Sequence, residues 1–228
     1  GTVSGRLVMT QARSAGGAEV ILAGPGVDIQ HEKAGYIFYT QADKDGKFTL
    51  KNVRPGNYEL TAYMQSGAIT QELKKTGIAV KPGRTVLGEV TWNPPVRQKI
   101  WQLGKSDRTA QEFQYGGELR NYKWQKMVPA NLDYKMGKSK EKEDWYYAQT
   151  KDGEWKIHFN LPEVKMGKYH LMIAIASFST GMGKNQDVYA DVLLNGQFIK
   201  KLKYPNDQSV YRSATGSGTY HMEDIEVD

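Results

Sequence analysis

Asp43-Lys44-Asp45-Gly46-Lys47-Phe48-Thr49-Leu50, followed at once by Lys51-Asn52-Val53-Arg54-Pro55-Gly56-Asn57-Tyr58-Glu59-Leu60, decides how the first part of this chain is built. Phe48 and Leu50 fall on one side, while Lys47, Thr49 and Lys51 fall on the other. Tyr58, Leu60 and Ala62 likewise oppose Glu59 and Thr61. A period of two with one apolar side marks a strand with one buried face. Asp45-Gly46 reads as the close of a hairpin. Pro55-Gly56 reads as a turn in which one φ is fixed and the next residue is free to take φ > 0.

Working outward, strand-like segments recur through residues 1–92: Val3–Met9, Glu19–Ala23, Tyr36–Gln41, Lys47–Leu50, Tyr58–Tyr63, Ile78–Val80 and Thr85–Trp92. No window shows helical periodicity. Short strands at this density argue for an immunoglobulin- or fibronectin-III-like sandwich over residues 1–95. The seam is Trp92-Asn93-Pro94-Pro95-Val96, where two prolines remove two backbone donors and hold the chain extended. Residues 96–228 are again β in character. Trp155, Ile157, Phe159 and Leu161 alternate with Lys156, His158 and Asn160, and Tyr169 to Ala176 is a near-continuous apolar run expected of a central strand. Asn195-Gly196, between Asp191–Leu194 and Gln197–Ile199, is a strong hairpin signal. Tyr220 to Val227 supplies another strand, and Gly104 to Asp144 reads as long loops or a short helix. The expected architecture is a jelly roll of two packed sheets, galactose-binding-like in type.

Composition narrows the function. There is no cysteine, which excludes disulfides, thiolate chemistry and a zinc site built on sulfur. The longest apolar run, Leu171 to Ala176, falls far short of the roughly 18 residues of a membrane helix, so no membrane partner is expected. The net charge of +6 is spread, with eleven basic against eight acidic residues in 1–95 and twenty against seventeen in 96–228. Nucleic-acid binding concentrates its cations. Here the one dense run, Lys135 to Lys142, is followed by Glu143 and Asp144 and contains Glu141, so a nucleic-acid partner is not expected. A mildly positive surface suits an acidic polymer such as pectin, and suits an ordinary solvated surface equally well. Gly1-Thr2-Val3 enters strand-like sequence directly, with no charged segment and apolar stretch of a leader ahead of it.

Gly5-Arg6-Leu7-Val8, the Asp45-Gly46-Lys47-Phe48 turn and Pro55-Gly56-Asn57-Tyr58-Glu59-Leu60 resemble the fibronectin-type middle domain of rhamnogalacturonan lyases, polysaccharide lyase family 4. Transthyretin-like and carboxypeptidase-regulatory domains share that pattern. The second domain narrows it. Ile100-Trp101-Gln102-Leu103-Gly104-Lys105-Ser106-Asp107 with Glu112-Phe113 resembles the opening of the same family's carbohydrate-binding-like third domain. So do Ile157-His158-Phe159-Asn160-Leu161, Val192-Leu193-Leu194-Asn195-Gly196, Asn206-Asp207, Tyr211-Arg212 and Gly218-Thr219-Tyr220. The resemblance covers essentially the whole chain in the family's domain order. It implies the non-catalytic C-terminal portion of a secreted, extracellular lyase that cleaves the rhamnogalacturonan backbone of pectin by β-elimination. The family's lysine and histidine lie in an N-terminal catalytic domain that would precede Gly1, and the third domain usually runs beyond Asp228. Implied partners are that catalytic domain and a pectic polysaccharide, with the chain a monomer. A stand-alone carbohydrate-binding module or structural spacer of a secreted or cell-surface protein is the competing reading.

No residue is assigned to catalysis. His31, His158, His170 and His221 have no spacing that constrains geometry, and surface histidine is the better reading for them. Asp43, Asp45 and Gly46 lack the later carboxylate of a calcium loop, and no ligand spacing indicates a structural calcium or any other cofactor. Sugar binding has more support, since aromatic rings can cover the C–H face of a pyranose while amides and charges bond its hydroxyls and carboxylate. The candidate set is Trp124, Trp145, Tyr146, Tyr147, Asn206, Asp207 and Arg212, all in polar loop sequence. Beside it stands the alternative that Trp101, Trp145, Tyr147 and Trp155 are packing residues.

Overall fold

The computed structural model describes residues 1–10, 14–24, 36–66, 69–105, 107, 109–118, 124–161, 163–176, 178, 188–204 and 221–227. Backbone contacts divide the chain into two compact units, Gly1–Gln98 with Ile175–Met222, and Lys99–Ala174 with Glu223–Asp228.

The described residues up to Trp92 form seven strands: β1 Thr2–Met9, β2 Glu19–Ala23, β3 Ile37–Gln41, β4 Lys47–Leu50, β5 Gly56–Ser66, β6 Ile69–Val80 and β7 Arg84–Trp92. They make two sheets, β4-β1-β7 and β3-β2-β5-β6. In the first, β1 is central, antiparallel to β4 and parallel to β7. In the second every pairing is antiparallel. Val3, Leu7, Phe48, Leu50, Val90 and Trp92 from one sheet join Val20, Leu22, Tyr58, Leu60, Ala62, Ile78 and Val80 from the other in a single core. Burying a side chain such as Leu22, Leu50 or Leu60 contributes about 1.5–3 kcal/mol. The facing sheets and shared core are the sandwich that the alternation of residues 47–62 requires.

Three details differ from the sequence reading. The Asp45-Gly46 turn is tight: Asp43 Oδ1 accepts the Asp45 and Lys47 amides, both at 2.9 Å, and the Asp43 amide donates to the Lys47 carbonyl at 2.8 Å. It closes no two-stranded hairpin, because β3 pairs with β2 and β4 with β1. The turn carries the chain from one sheet to the other. Thr61, placed on the polar side, is buried between Ile21 and Lys74 in the register of the four-stranded sheet. Finally, β5 and β6 form a longer ribbon than their apolar residues suggest, since Gln71, Glu72, Lys74 and Lys75 all pair in it.

Beyond the seam lie α1 Trp124–Met127, β8 Leu132–Lys135, α2 Glu141–Asp144, β9 Trp155–His158, β10 Tyr169–Ile175, β11 Val188–Leu194, β12 Gln197–Tyr204 and β13 His221–Val227. β8 and β9 pair in parallel, β11 with β12 antiparallel, and β10 with β13. The all-β character holds, with helix confined among the described residues to two single turns. Asn195 (φ 52°) and Gly196 (φ 79°) both take left-handed backbone, the pattern of a two-residue type I′ hairpin turn. β10 departs from expectation. No residue of it is fully buried, and among the described residues it pairs with β13 alone.

Candidate saccharide-contacting surface

The second unit gathers its aromatic residues where β8, β9 and the segment after α2 meet. On β8 the side chains alternate, with Leu132 and Tyr134 buried and Asp133 and Lys135 exposed. Parallel pairing sets Leu132 beside Trp155 and Tyr134 beside Ile157. α2 ends directly at Trp145. There the backbone is tied to Gln114: the Gln114 amide donates to the Trp145 carbonyl at 2.9 Å, and the Tyr147 amide donates to the Gln114 carbonyl at 3.2 Å. This double tether holds Trp145, Tyr146 and Tyr147 together.

The rings then pack on one another. Trp145 meets Trp155 edge-on at 5.0 Å and Tyr134 at 5.8 Å, with Phe113 at 6.4 Å. Tyr146 lies 6.2 Å from Trp155 and 5.9 Å from Tyr115. These are the offset and edge-to-face contacts that aromatic pairs favour. The Trp155 indole N–H donates to the Pro129 carbonyl at 3.3 Å, and the Tyr134 hydroxyl donates to the Ser139 carbonyl at 3.2 Å. Burial raises the Tyr134 phenol above its ordinary value, with Glu141 and then Asp144 adding to the effect. Burial also raises Tyr146, reinforced by Tyr115 and Asp144. Both phenols therefore stay neutral hydrogen-bonding groups through the physiological range.

Trp145, Tyr146 and Tyr147 are each half-buried, so each contributes packing and keeps part of its surface in solvent. Trp124 sits in α1, and its side chain lies outside the described residues, as do Asn206, Asp207 and Arg212. The structure thus brings together three of the seven sequence candidates. It adds Phe113, Tyr115, Tyr134 and Trp155 to the same cluster. Tyr115 takes φ 67°, an uncommon conformation for so bulky a residue. Its hydroxyl reaches Met127 Sδ at 4.0 Å. The sequence signal for it was the following Gly116-Gly117 pair, which marks a sharp turn.

The exposed side of β8 and β9 is charged. Asp133 pairs in register with Lys156, and Lys135 with His158. The His158 ring lies 2.7 Å from Asp133 Oδ1, and Lys156 Nζ lies 2.9 Å from Glu154 Oε2. The hydrogen bond from His158 holds the Asp133 carboxyl below its ordinary value. His170 is committed in the same way, 2.7 Å from Asp224 Oδ1. The His221 ring stacks on Tyr204 at 3.7 Å, and His31 lies outside the described residues. Among the described residues no group of three or more His, Asp and Glu stands close enough to hold a metal ion. The β8–β9 pair thus carries the aromatic cluster on one face and the charged side chains on the other.

Two family models match successive parts of the chain. The model of polysaccharide lyase family 4, domain II, matches residues 1–87, and that of polysaccharide lyase family 4, domain III, matches residues 99–228. The rhamnogalacturonate lyase of Dickeya dadantii is 41% identical over 226 residues, covering 98% of this chain and 38% of that protein. The probable rhamnogalacturonate lyase B of Neosartorya fischeri is 28% identical over 77% of this chain and 31% of its own length. The rhamnogalacturonate lyase B of Emericella nidulans is 26% identical over 68% and 28%. The chain spans less than two-fifths of the length of each of these relatives.

Proposed function

The chain belongs to polysaccharide lyase family 4, and from that membership we propose that it is the accessory, C-terminal portion of a rhamnogalacturonan lyase. Residues 1–95 would form one domain and residues 96–228 a second, carbohydrate-binding-like jelly roll. The observation that carries this reading is the succession of domain II and domain III matches along a chain that aligns over 98% of its own length with only 38% of its Dickeya relative. The bond-breaking step then belongs to a catalytic domain in the same polypeptide. That step needs a base near the C5 proton of a galacturonate and cationic help for its carboxylate.

In this reading the two domains support the catalytic domain, and the aromatic cluster around Trp145 and Tyr146 contacts the pectic polymer in an extracellular setting. Half-buried rings on a doubly tethered backbone are pre-organised, so little ordering cost falls due when a sugar arrives. Two measurements on the 228-residue chain test this. Titration with rhamnogalacturonan oligosaccharides, followed by tryptophan fluorescence, should saturate, and incubation with the polymer should release no unsaturated ends. Rapid cleavage by this chain alone would end the accessory reading. Binding left unchanged by both Tyr146→Ala and Tyr147→Ala would remove the aromatic cluster from it.

A further inference from the structure

The large apolar residues exposed among the described positions are mostly scattered, but three share one small surface. Tyr189 is 61% exposed, Leu193 49% and Phe198 60%, and all three belong to the β11–β12 hairpin. Alternation along β11 puts Tyr189, Asp191 and Leu193 on one face, with Val188, Ala190, Val192 and Leu194 half-buried on the other. The antiparallel register completes the exposed face rung by rung: Tyr189 opposite Lys203, Asp191 opposite Lys201, and Leu193 opposite Phe198. A bulge between Val192 and Leu193 allows the last pairing and leaves Ile199 half-buried. The face therefore carries an aromatic ring at each end, with Lys203 across from Tyr189 and Lys201 on the rung between the two rings. At about 3.4 Å per residue it is roughly 14 Å long from Tyr189 to Leu193.

The charge on this surface is one-sided. The outward face holds Lys201 and Lys203 against Asp191, and Lys200, half-buried on the other face, brings residues 188–204 to a net +2 out of the chain's +6. Lys201 Nζ stands 4.5 Å over the Tyr189 ring and 3.5 Å from Asp191 Oδ1. Both Lys201 and Asp191 are about half exposed, and an ion pair at such a site is worth little, so an incoming carboxylate can take the ammonium at small cost. Exposed rings that offer flat apolar faces, with ammonium groups beside them, complement a polymer whose sugars present C–H faces and carboxylates together.

We propose that this outward face of the β11–β12 hairpin is a second contact surface for an acidic, galacturonate-bearing polysaccharide. Tyr189 and Phe198 cover sugar rings, and Lys201 and Lys203 pair with uronate carboxylates. The inference rests on the accessory-lyase reading above and locates a different contact from the Trp145 cluster.

The test is binding of de-esterified rhamnogalacturonan fragments to the 228-residue chain, measured calorimetrically at low and high salt, with carboxyl-reduced fragments as a neutral probe. Lys201→Glu/Lys203→Glu should weaken binding about tenfold or more at low salt and much less at high salt, because exposed charges are screened. Lys51→Glu/Lys81→Glu, which changes the net charge equally on the sandwich, should stay near wild type. Tyr189→Ala/Phe198→Ala should weaken binding of the acidic and the neutral fragments alike. Since all four hairpin side chains are exposed, circular dichroism should report an unchanged fold. Wild-type affinity in both hairpin variants, with loss in Tyr146→Ala, overturns this proposal and leaves the accessory reading standing. Absence of binding by the wild-type chain overturns both. A concentration-dependent dimer of the wild type that Phe198→Ala dissolves would instead make the face an interface between copies and would also overturn the proposal.

Discussion

Gly46 and Gly17 hold nearly the same backbone, φ +79° and +80°, in opposite surroundings, and that contrast makes a sharp stability experiment. A Cβ on Gly17 would meet nothing within 4 Å, so Gly17→Ala meets only the left-handed backbone penalty, about 1–2 kcal/mol. A Cβ on Gly46 would stand 2.3 Å from the Leu7 carbonyl oxygen. That oxygen belongs to β1, the central strand of its sheet, and cannot retreat freely. The Leu7 amide donates to the Gly46 carbonyl at 2.8 Å, and the adjacent rung pairs Arg6 with Lys47. Relief of the clash breaks that hydrogen bond, which adds about 1–3 kcal/mol. Gly46→Ala should therefore lose about 2–5 kcal/mol in all, clearly more than Gly17→Ala. In a domain of this size each kcal/mol moves the melting temperature by roughly 4–8 °C. Calorimetric melting of the two variants beside wild type reads the difference directly. Equal losses in both would refute the claim that the turn at Asp43–Lys47 is locked against β1.

Leu60 is fully buried at the sandwich centre, and Leu60→Ala should cost about 2–5 kcal/mol in urea denaturation through the cavity it leaves. A loss below about 1 kcal/mol would mean that the two sheets do not share the core described. Trp145→Ala removes ring contacts with Trp155, Tyr134 and Phe113 and should destabilise the Lys99–Ala174 unit by about 2–4 kcal/mol, while Trp145→Phe should lose less than half of that. Equal and negligible losses, measured by calorimetry, would show that the ring is not a packing element. The Asp133–His158 contact gives a pH signature. The Asp133 carboxyl is depressed in the folded chain, so its contribution is fully present above the ordinary value of 3.8 and disappears as pH falls through the lower folded value. The melting difference between wild type and Asp133→Asn should thus be steady near neutrality and vanish in acid. A difference that grows on acidification would contradict the assigned direction.

The sandwich was legible in the sequence because its strands are half-buried and one-sided. In β4 the pattern Lys47-Phe48-Thr49-Leu50 translates directly into exposed and buried positions. Sheet assignment was not legible. The backbone bonds around Asp43–Gly46 look the same whether the flanking strands pair with each other or part to opposite sheets, and only the long-range register of β1 separates the two cases. The β5–β6 ribbon was underestimated for a related reason. Its Ile69–Gly77 half pairs through backbone groups, which leave no trace in the polarity of Gln71, Glu72, Lys74 and Lys75.

The candidate site divides along the same line. Trp145, Tyr146 and Tyr147 announce themselves as an aromatic run in polar sequence, and their clustering needs only a short tether. Tyr134 and Trp155 join them through the parallel pairing of β8 with β9, twenty residues apart in sequence. Leu132-Asp133-Tyr134-Lys135 is too short and too polar to mark a strand by itself. The hairpin face was hidden differently. The Asn195-Gly196 turn was plain, but nothing in the sequence marked Leu193 and Phe198 as sharing an outward face. In an antiparallel hairpin the turn fixes which residues are opposite, while the neighbouring layer fixes which face is covered. Apolar residues on the uncovered face are therefore the ones that sequence reading assigns inward by default, and the ones where a binding surface goes unseen.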